Sequence, residues 1–266
     1  MSGELPLLWM AAACYAAAAA VAFTRAFAHP LFGMLLTAGI VLHTGSLASR
    51  WLLLGYGPFT NLHEILSSNV WSLSLIFAAA WWRMPAVRPA ARMVMPVLLM
   101  MTAWLMTTDA APGYFPPTYL ALLLYLHTLV GKLFLGLLLV AAGLGGVILL
   151  HRRRPLAWAP VLIPGEARLG ELAYRFAAIA FLFQSAMLVV GAVWAQDAWG
   201  RYWAWDPLET WAFVTWIALG FTLHARNGGR SGEPLVAGLI IAVFTIAFLT
   251  FFGVPFLSMA PHKGAF

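Results

Sequence analysis

Between residues 194 and 216 the chain carries Trp194, Trp199, Tyr202, Trp203, Trp205, Trp211 and Trp216, seven tryptophan and tyrosine rings in 23 positions, around the stretch WGRYWAWDPLETW. Flat apolar side chains at that density make a surface on which a large planar ligand can stack. A membrane-interface belt needs a tryptophan or tyrosine only here and there, which accounts for two of these seven. The second chemical resource is a set of seven histidines: His29, His43, His63, His127, His151, His224 and His262. Imidazole is an axial ligand for iron in a planar macrocycle, so rings and histidines together suit an iron macrocycle.

Position separates the histidines. His29 and His151 lie at span ends, beside Pro30 and the arginine run, and read as flanking residues. His43, in GIVLHTGSLAS, is deep in an apolar span, where a polar ring must find a partner or a ligand. His224, in GFTLHAR, follows Pro207 by 17 residues, about 26 Å of helix. His127 precedes the last apolar part of its span, and His262 follows the final span. Their depths suggest two iron-binding pairs, His127 with His262 flanking the ring-rich segment and His43 with His224 inside the bundle. The inner pair demands helix tilt, a shifted helix end or a break in the simple spans, because His43 is nearer the midplane than His224. Asp206, Pro207 and Glu209 spell a helix start, with Asp206 as cap, Pro207 at the first position and Glu209 reaching back. Asp206 is also a candidate for ligand contact, with Trp199, Tyr202, Trp203 and Trp205 as the stacking candidates. Trp199 and Trp203 are four apart, so a short helix along the interface would bring both to one face, with Tyr202 beside them.

The elements that must position these residues are membrane helices. Of 266 residues 63% are hydrophobic and 9% charged, too apolar for a soluble surface. Runs of about 20 apolar residues match the length needed to cross a hydrocarbon layer. Eight spans are expected, at 7–26, 31–50, 65–82, 93–108, 119–150, 171–193, 208–226 and 235–258. The fifth is long enough to include an interfacial stretch before its crossing. The result is an all-α polytopic bundle, a single domain over 1–266, with an outer-face tryptophan-rich segment. GELPLLWM has neither a basic flank nor a small-residue cleavage pattern, so the first run reads as a retained span. Arginines cluster after spans one, three, five and seven, which places those connections in the cytoplasm and both termini outside. The formal charge of +6 is thereby explained as topology, not nucleic-acid binding. One cysteine, Cys14, excludes an internal disulfide or a CxxC pair, so thiol chemistry does not originate in this chain.

WGRYWAWDPLETW, continuing through VTWIALGFTLHAR and back into FQSAMLVVGAVWAQDAW, resembles the tryptophan-rich signature of the cytochrome c assembly proteins of the CcsA/ResC type, the haem-handling half of system II. LHTGSLASRW with GPFTNLHEILSSNVW is similar to the family's second characteristic region, and the likeness covers the chain from about position 40 onward. The resemblance implies a multi-pass protein of the bacterial cytoplasmic membrane, or of the thylakoid if plastid-derived. It would carry haem b to the outer face and join it to the CxxCH cysteines of apocytochrome c, as a haem lyase component. It implies span ligands His43 and His224 and outer ligands His127 and His262, in LHTGSL, LHAR, YLHTLVGK and APHKG respectively. His63 stands where the family's motif usually has an aromatic. The implied partners are a separate ResB/CcsB-type membrane protein with a large extracytoplasmic domain, apocytochrome c, and, indirectly, thiol-reducing proteins. The alternatives are a haem transporter without ligation activity and a transmembrane b-type electron-transfer cytochrome. The latter favours ligand pairs at matched depths and gives no reason for an external tryptophan platform.

Overall fold

A computed structural model describes residues 3–24, 28–57, 59–113, 122–153, 164–227 and 232–257. Every regular element among them is helical: α1 (Glu4–Ala22), α2 (Pro30–Leu54), α3 (Leu62–Arg83), a 3-10 segment (Pro85–Ala90) leading into α4 (Ala91–Met106), α5 (Leu122–Arg153), α6 (Glu166–Trp199), α7 (Pro207–Asn227), α8 (Glu233–Phe252) and a single turn, α9 (Val254–Leu257). Helices are the expected solution in lipid, where no water is present to satisfy backbone polar groups. α1 to α6 and α8 are each long and apolar enough to cross a membrane, α4 together with its 3-10 lead-in. α7 has 21 residues and is the eighth long helix among those described.

Two spans differ from their sequence reading. α5 is one continuous helix over 32 residues, about 48 Å, so whatever part of it lies outside the hydrocarbon layer belongs to the same helix. α6 covers 34 residues, well beyond the expected 171–193. Hydropathy marks which residues suit hydrocarbon, whereas a helix continues until its backbone is turned. Here the turn comes at Gly200, whose φ of 75° closes α6 in the left-handed conformation.

α5 is the central helix, packed against α6, α8, α3 and α4, while α1 and α2 pair at one side and α7 and α8 at the other. A buried apolar cluster runs from Leu8 in α1 to Phe252 in α8. Lipid is as apolar as these side chains, so close backbone approach and polar bonds matter more than burial for holding helices together. At Gly145 an added Cβ would lie 3.1 Å from the Ala237 carbonyl oxygen, which brings α5 directly onto α8. Arg50 of α2 ties three helices: its Nη1 donates to Glu4 at 2.8 Å and its Nε and Nη2 to Glu64 at 2.9 and 2.8 Å. Glu64 also accepts from the Thr60 amide and hydroxyl. A buried ion pair is tolerable when its remaining hydrogen-bonding capacity is filled in this way.

The bundle has two unlike ends. One gathers the starts of α3, α5 and α7 and the ends of α6 and α8, where the aromatic residues lie. The other holds Arg88, Arg92, Arg152, Arg175 and Arg226, with Arg152 on Glu166 and Arg175 and Arg226 on Glu171.

Candidate functional site

The site is built around His127, one and a half turns into α5. Its Nδ1 lies 3.0 Å from the carbonyl oxygen of Met187 on α6. A carbonyl only accepts, so Nδ1 carries the proton and the neutral ring has its lone pair on Nε2. A histidine ligand to a metal is ordinarily oriented by this kind of bond from its other nitrogen. Gly191 makes the placement possible, since a Cβ there would lie 2.7 Å from the imidazole. Trp194 stacks on the same ring, with centroids 6.4 Å apart and planes 21° from parallel.

Beyond Trp199 the chain forms no interfacial helix. Gly200 ends α6, residues 201–206 form an irregular loop, and Trp205 within it has a φ of 58°. That conformation is uncommon for a bulky residue and costs on the order of 1–3 kcal/mol, which the surroundings must over-determine. They do so through Asp206, whose Oδ1 accepts from the Glu209 amide at 2.9 Å, and Glu209, whose Oε2 accepts from the Ala204 amide at 2.7 Å. The reach-back of Glu209 thus lands two residues ahead of the cap. Trp199 and Trp203 consequently fall into different groups. Trp199 meets Trp194 edge to face at 4.8 Å, whereas Trp203 meets Trp205 and Phe213 at 5.6 and 6.2 Å. Tyr202 and Trp205 are exposed, at 60% and 69%.

His127, Met187, Trp194, Leu208 and Phe251 line two adjoining chambers of one cleft. The first, with about 610 Å³ of empty space, adds Gly191, Tyr202, Trp203 and Glu209. The second, about 870 Å³, adds Phe59, Ser68, Asn69 and Lys132 from the α3 side. Nε1 of Trp203 is buried with no hydrogen-bond partner among the described residues, an orphan donor at the cleft. The directed imidazole, its glycine cradle and this donor fit a flat ligand with a metal at its centre.

The cleft therefore assembles His127, Tyr202 and Trp203, with Trp199 behind Trp194 and Asp206 fixing the loop. Trp205 faces outward, beside Phe213 and Trp216. His262 lies outside the described residues. His43 and His224 are not brought together. His43 is fully buried, 3.3 Å from the Tyr15 hydroxyl through Nδ1 and 2.9 Å from Ser67 Oγ through Nε2. α2 packs on α1 and α3, while His224 is exposed on α7, which packs on α6 and α8. His63 is buried with Nδ1 3.0 Å from Thr108 Oγ1, towards the end of α4 and not lining the cleft. His29 caps α2, accepting from the Leu31 amide. Sequence reasoning did not single out Gly191 or Lys132. A lone lysine within the apolar run YLHTLVGKLFLGLLLV was the available signal for the second.

Fold and cleft together define a polytopic helical membrane protein with an imidazole-bearing aromatic site at one end of its bundle. Residues 59–262 match the family described as cytochrome C assembly protein, and the chain belongs to that family. It is 28% identical over 253 residues to the cytochrome c biogenesis protein CcsA of Solanum lycopersicum, covering 83% of this chain and 80% of that protein. To the CcsA of Synechococcus sp. (strain RCC307) it is 30% identical over 250 residues, 78% of each chain. Its fold is similar to that of a solved cytochrome c haem lyase, CcmF, with a TM-score of 0.71 at 19% identity. That match covers 98% of this chain and 47% of the other, so the chain spans about half of the larger protein. Membership places the protein in cytochrome c biogenesis, with a role in haem handling as part of a multi-component system.

Proposed function

We propose that the aromatic-end cleft holds haem as a substrate, with iron on Nε2 of His127, and presents its vinyl groups to the cysteines of a CxxCH segment of apocytochrome c. The observation that carries this reading is the placement of His127 at the cleft within the Gly191 cradle, its Nδ1 bonded to Met187, which makes Nε2 the metal-coordinating nitrogen of this tautomer. Trp194 and Trp203 supply ring contact, and Tyr202 stands at the exposed rim.

Each thioether forms when a cysteine S–H adds across a vinyl C=C. Sulfur bonds to the carbon next to the ring and the hydrogen ends on the outer carbon. No electrons are gained or lost overall and nothing leaves, so no nucleophile or base is required from this chain, whose contribution is orientation. The thiols must arrive reduced, which is where separate thiol-reducing proteins enter. His262 is the proposed second outer ligand. A ResB/CcsB-type partner would supply the extracytoplasmic domain. The arginine-rich end would face the cytoplasm and the cleft the outer side. The separation of His43 from His224 gives no support to an iron shared by those two residues.

Replacing His127 with glycine tests the assignment. Purified His127→Gly protein is expected to lose its haem absorption bands, with external imidazole restoring part of both haem binding and cytochrome c maturation. An unchanged spectrum with intact maturation would show that His127 is not a ligand.

A further inference from the structure

Lys132 lies in α5 five residues after His127 and lines the second chamber of the cleft, its Nζ donating to Ser68 Oγ at 2.9 Å. An ammonium has three N–H donors, and this serine is the one partner it has among the described residues. All nine Asp and Glu side chains of the protein lie among those residues, and none pairs with Lys132. Glu4 and Glu64 are held by Arg50, Glu166 by Arg152, and Glu171 and Glu233 by Arg226. A cation within a membrane-spanning helix calls for a counter-charge, and the open chamber in front of it points to one that arrives with a ligand. The opposite chamber is lined by Glu209, so the cleft is polarised, basic on the α3 side and acidic on the α7 side.

We infer that Lys132 is the carboxylate-binding subsite of the cleft, taking a propionate of haem and thereby fixing which edge of the macrocycle faces the mouth. This rests on the reading of the cleft as a haem site. Five residues of helix separate the two side chains by about 7.5 Å along the axis, a scale that suits a carboxylate arm extending from an iron-centred ring. The two propionates share one edge of the macrocycle and the vinyl groups lie away from it. An anchored carboxylate at Lys132, repelled from Glu209, turns the vinyl groups towards the chamber bounded by Tyr202 and Trp203. Lys132 is a positioning residue for the substrate and takes no part in bond formation.

The test compares haem with haem dimethyl ester in titrations of the purified, haem-stripped full chain. Wild type is expected to bind the free acid more tightly than the ester, on the order of 10- to 100-fold, the range for a charge-assisted hydrogen bond. Lys132→Met should bind both forms about as weakly as wild type binds the ester, while its saturated spectrum keeps the His127 signature. Lys132→Arg should retain the preference. Absence of any preference in wild type, or its persistence in Lys132→Met, would overturn the inference while a His127-dependent spectrum leaves the haem site standing. Loss of co-purified fatty acid or anionic lipid from Lys132→Met, without a haem preference in wild type, would overturn it in favour of a lipid counter-ion. No histidine-ligated spectrum with either form would instead reject the haem site itself.

Discussion

At the scale of single residues the site depends on absence as much as presence. Gly191 leaves room for an imidazole that a methyl group would meet at 2.7 Å. Gly191→Ala is expected to push His127 off its bond to Met187, weakening haem retention and shifting its spectrum, at an overpacking cost of about 1–3 kcal/mol. Haem titration and thermal unfolding of the variant check this; normal affinity and spectrum would show that the ring has another resting place. His127 was legible in the sequence from its position near the aromatic segment, but its tautomer was not, because that depends on a carbonyl 60 residues away. His43 shows the opposite case. A polar ring deep in a span reads as a ligand, yet Tyr15 and Ser67, from the two helices packed on α2, occupy both nitrogens. Spacing along one helix carries no information about which polar groups its neighbours present.

At the scale of elements, the loop between α6 and α7 is held from both sides. Gly200 stops one helix and Asp206 starts the next, and the strained Trp205 sits between them. The cap was legible as the string DPLE, since carboxylate, proline and glutamate have fixed places in a helix start. The end of α6 was not, because hydropathy falls before the helix itself is turned at Gly200. Asp206→Ala should cost about 0.5–2 kcal/mol and loosen Trp203 against the cleft, whereas Asp206→Asn, an equally good cap, should preserve stability and haem retention. These are read from thermal unfolding and haem titration of both variants. Loss of haem in Asp206→Asn at unchanged stability would give the carboxylate a direct role with the ligand beyond its capping bond.

At the scale of the whole molecule, the helical class and the eight long helices followed from composition and run length, seven of them long and apolar enough to cross a membrane, because lipid leaves a chain this apolar little choice. The pairing of helices did not, since it rests on local approaches such as Gly145 on Ala237 and on buried polar ties. The two unlike ends make the orientation testable. In a variant with Cys14 replaced by serine, a cysteine introduced at the exposed Arg201 should react with a membrane-impermeant maleimide in intact cells. One introduced at the exposed Arg152 should react only after permeabilisation. The reverse pattern would invert the proposed orientation. The tie between Arg50, Glu4 and Glu64 has a consequence for how the chain is made. Glu4 precedes its counter-charge by 46 residues, so α1 emerges from synthesis with an uncompensated acid at its leading end. Its charge is compensated only once α2 is in place, and Glu64 of α3 meets the same arginine. One guanidinium thereby ties the first three helices together, and removing it would leave two acids from different helices without their shared counter-charge.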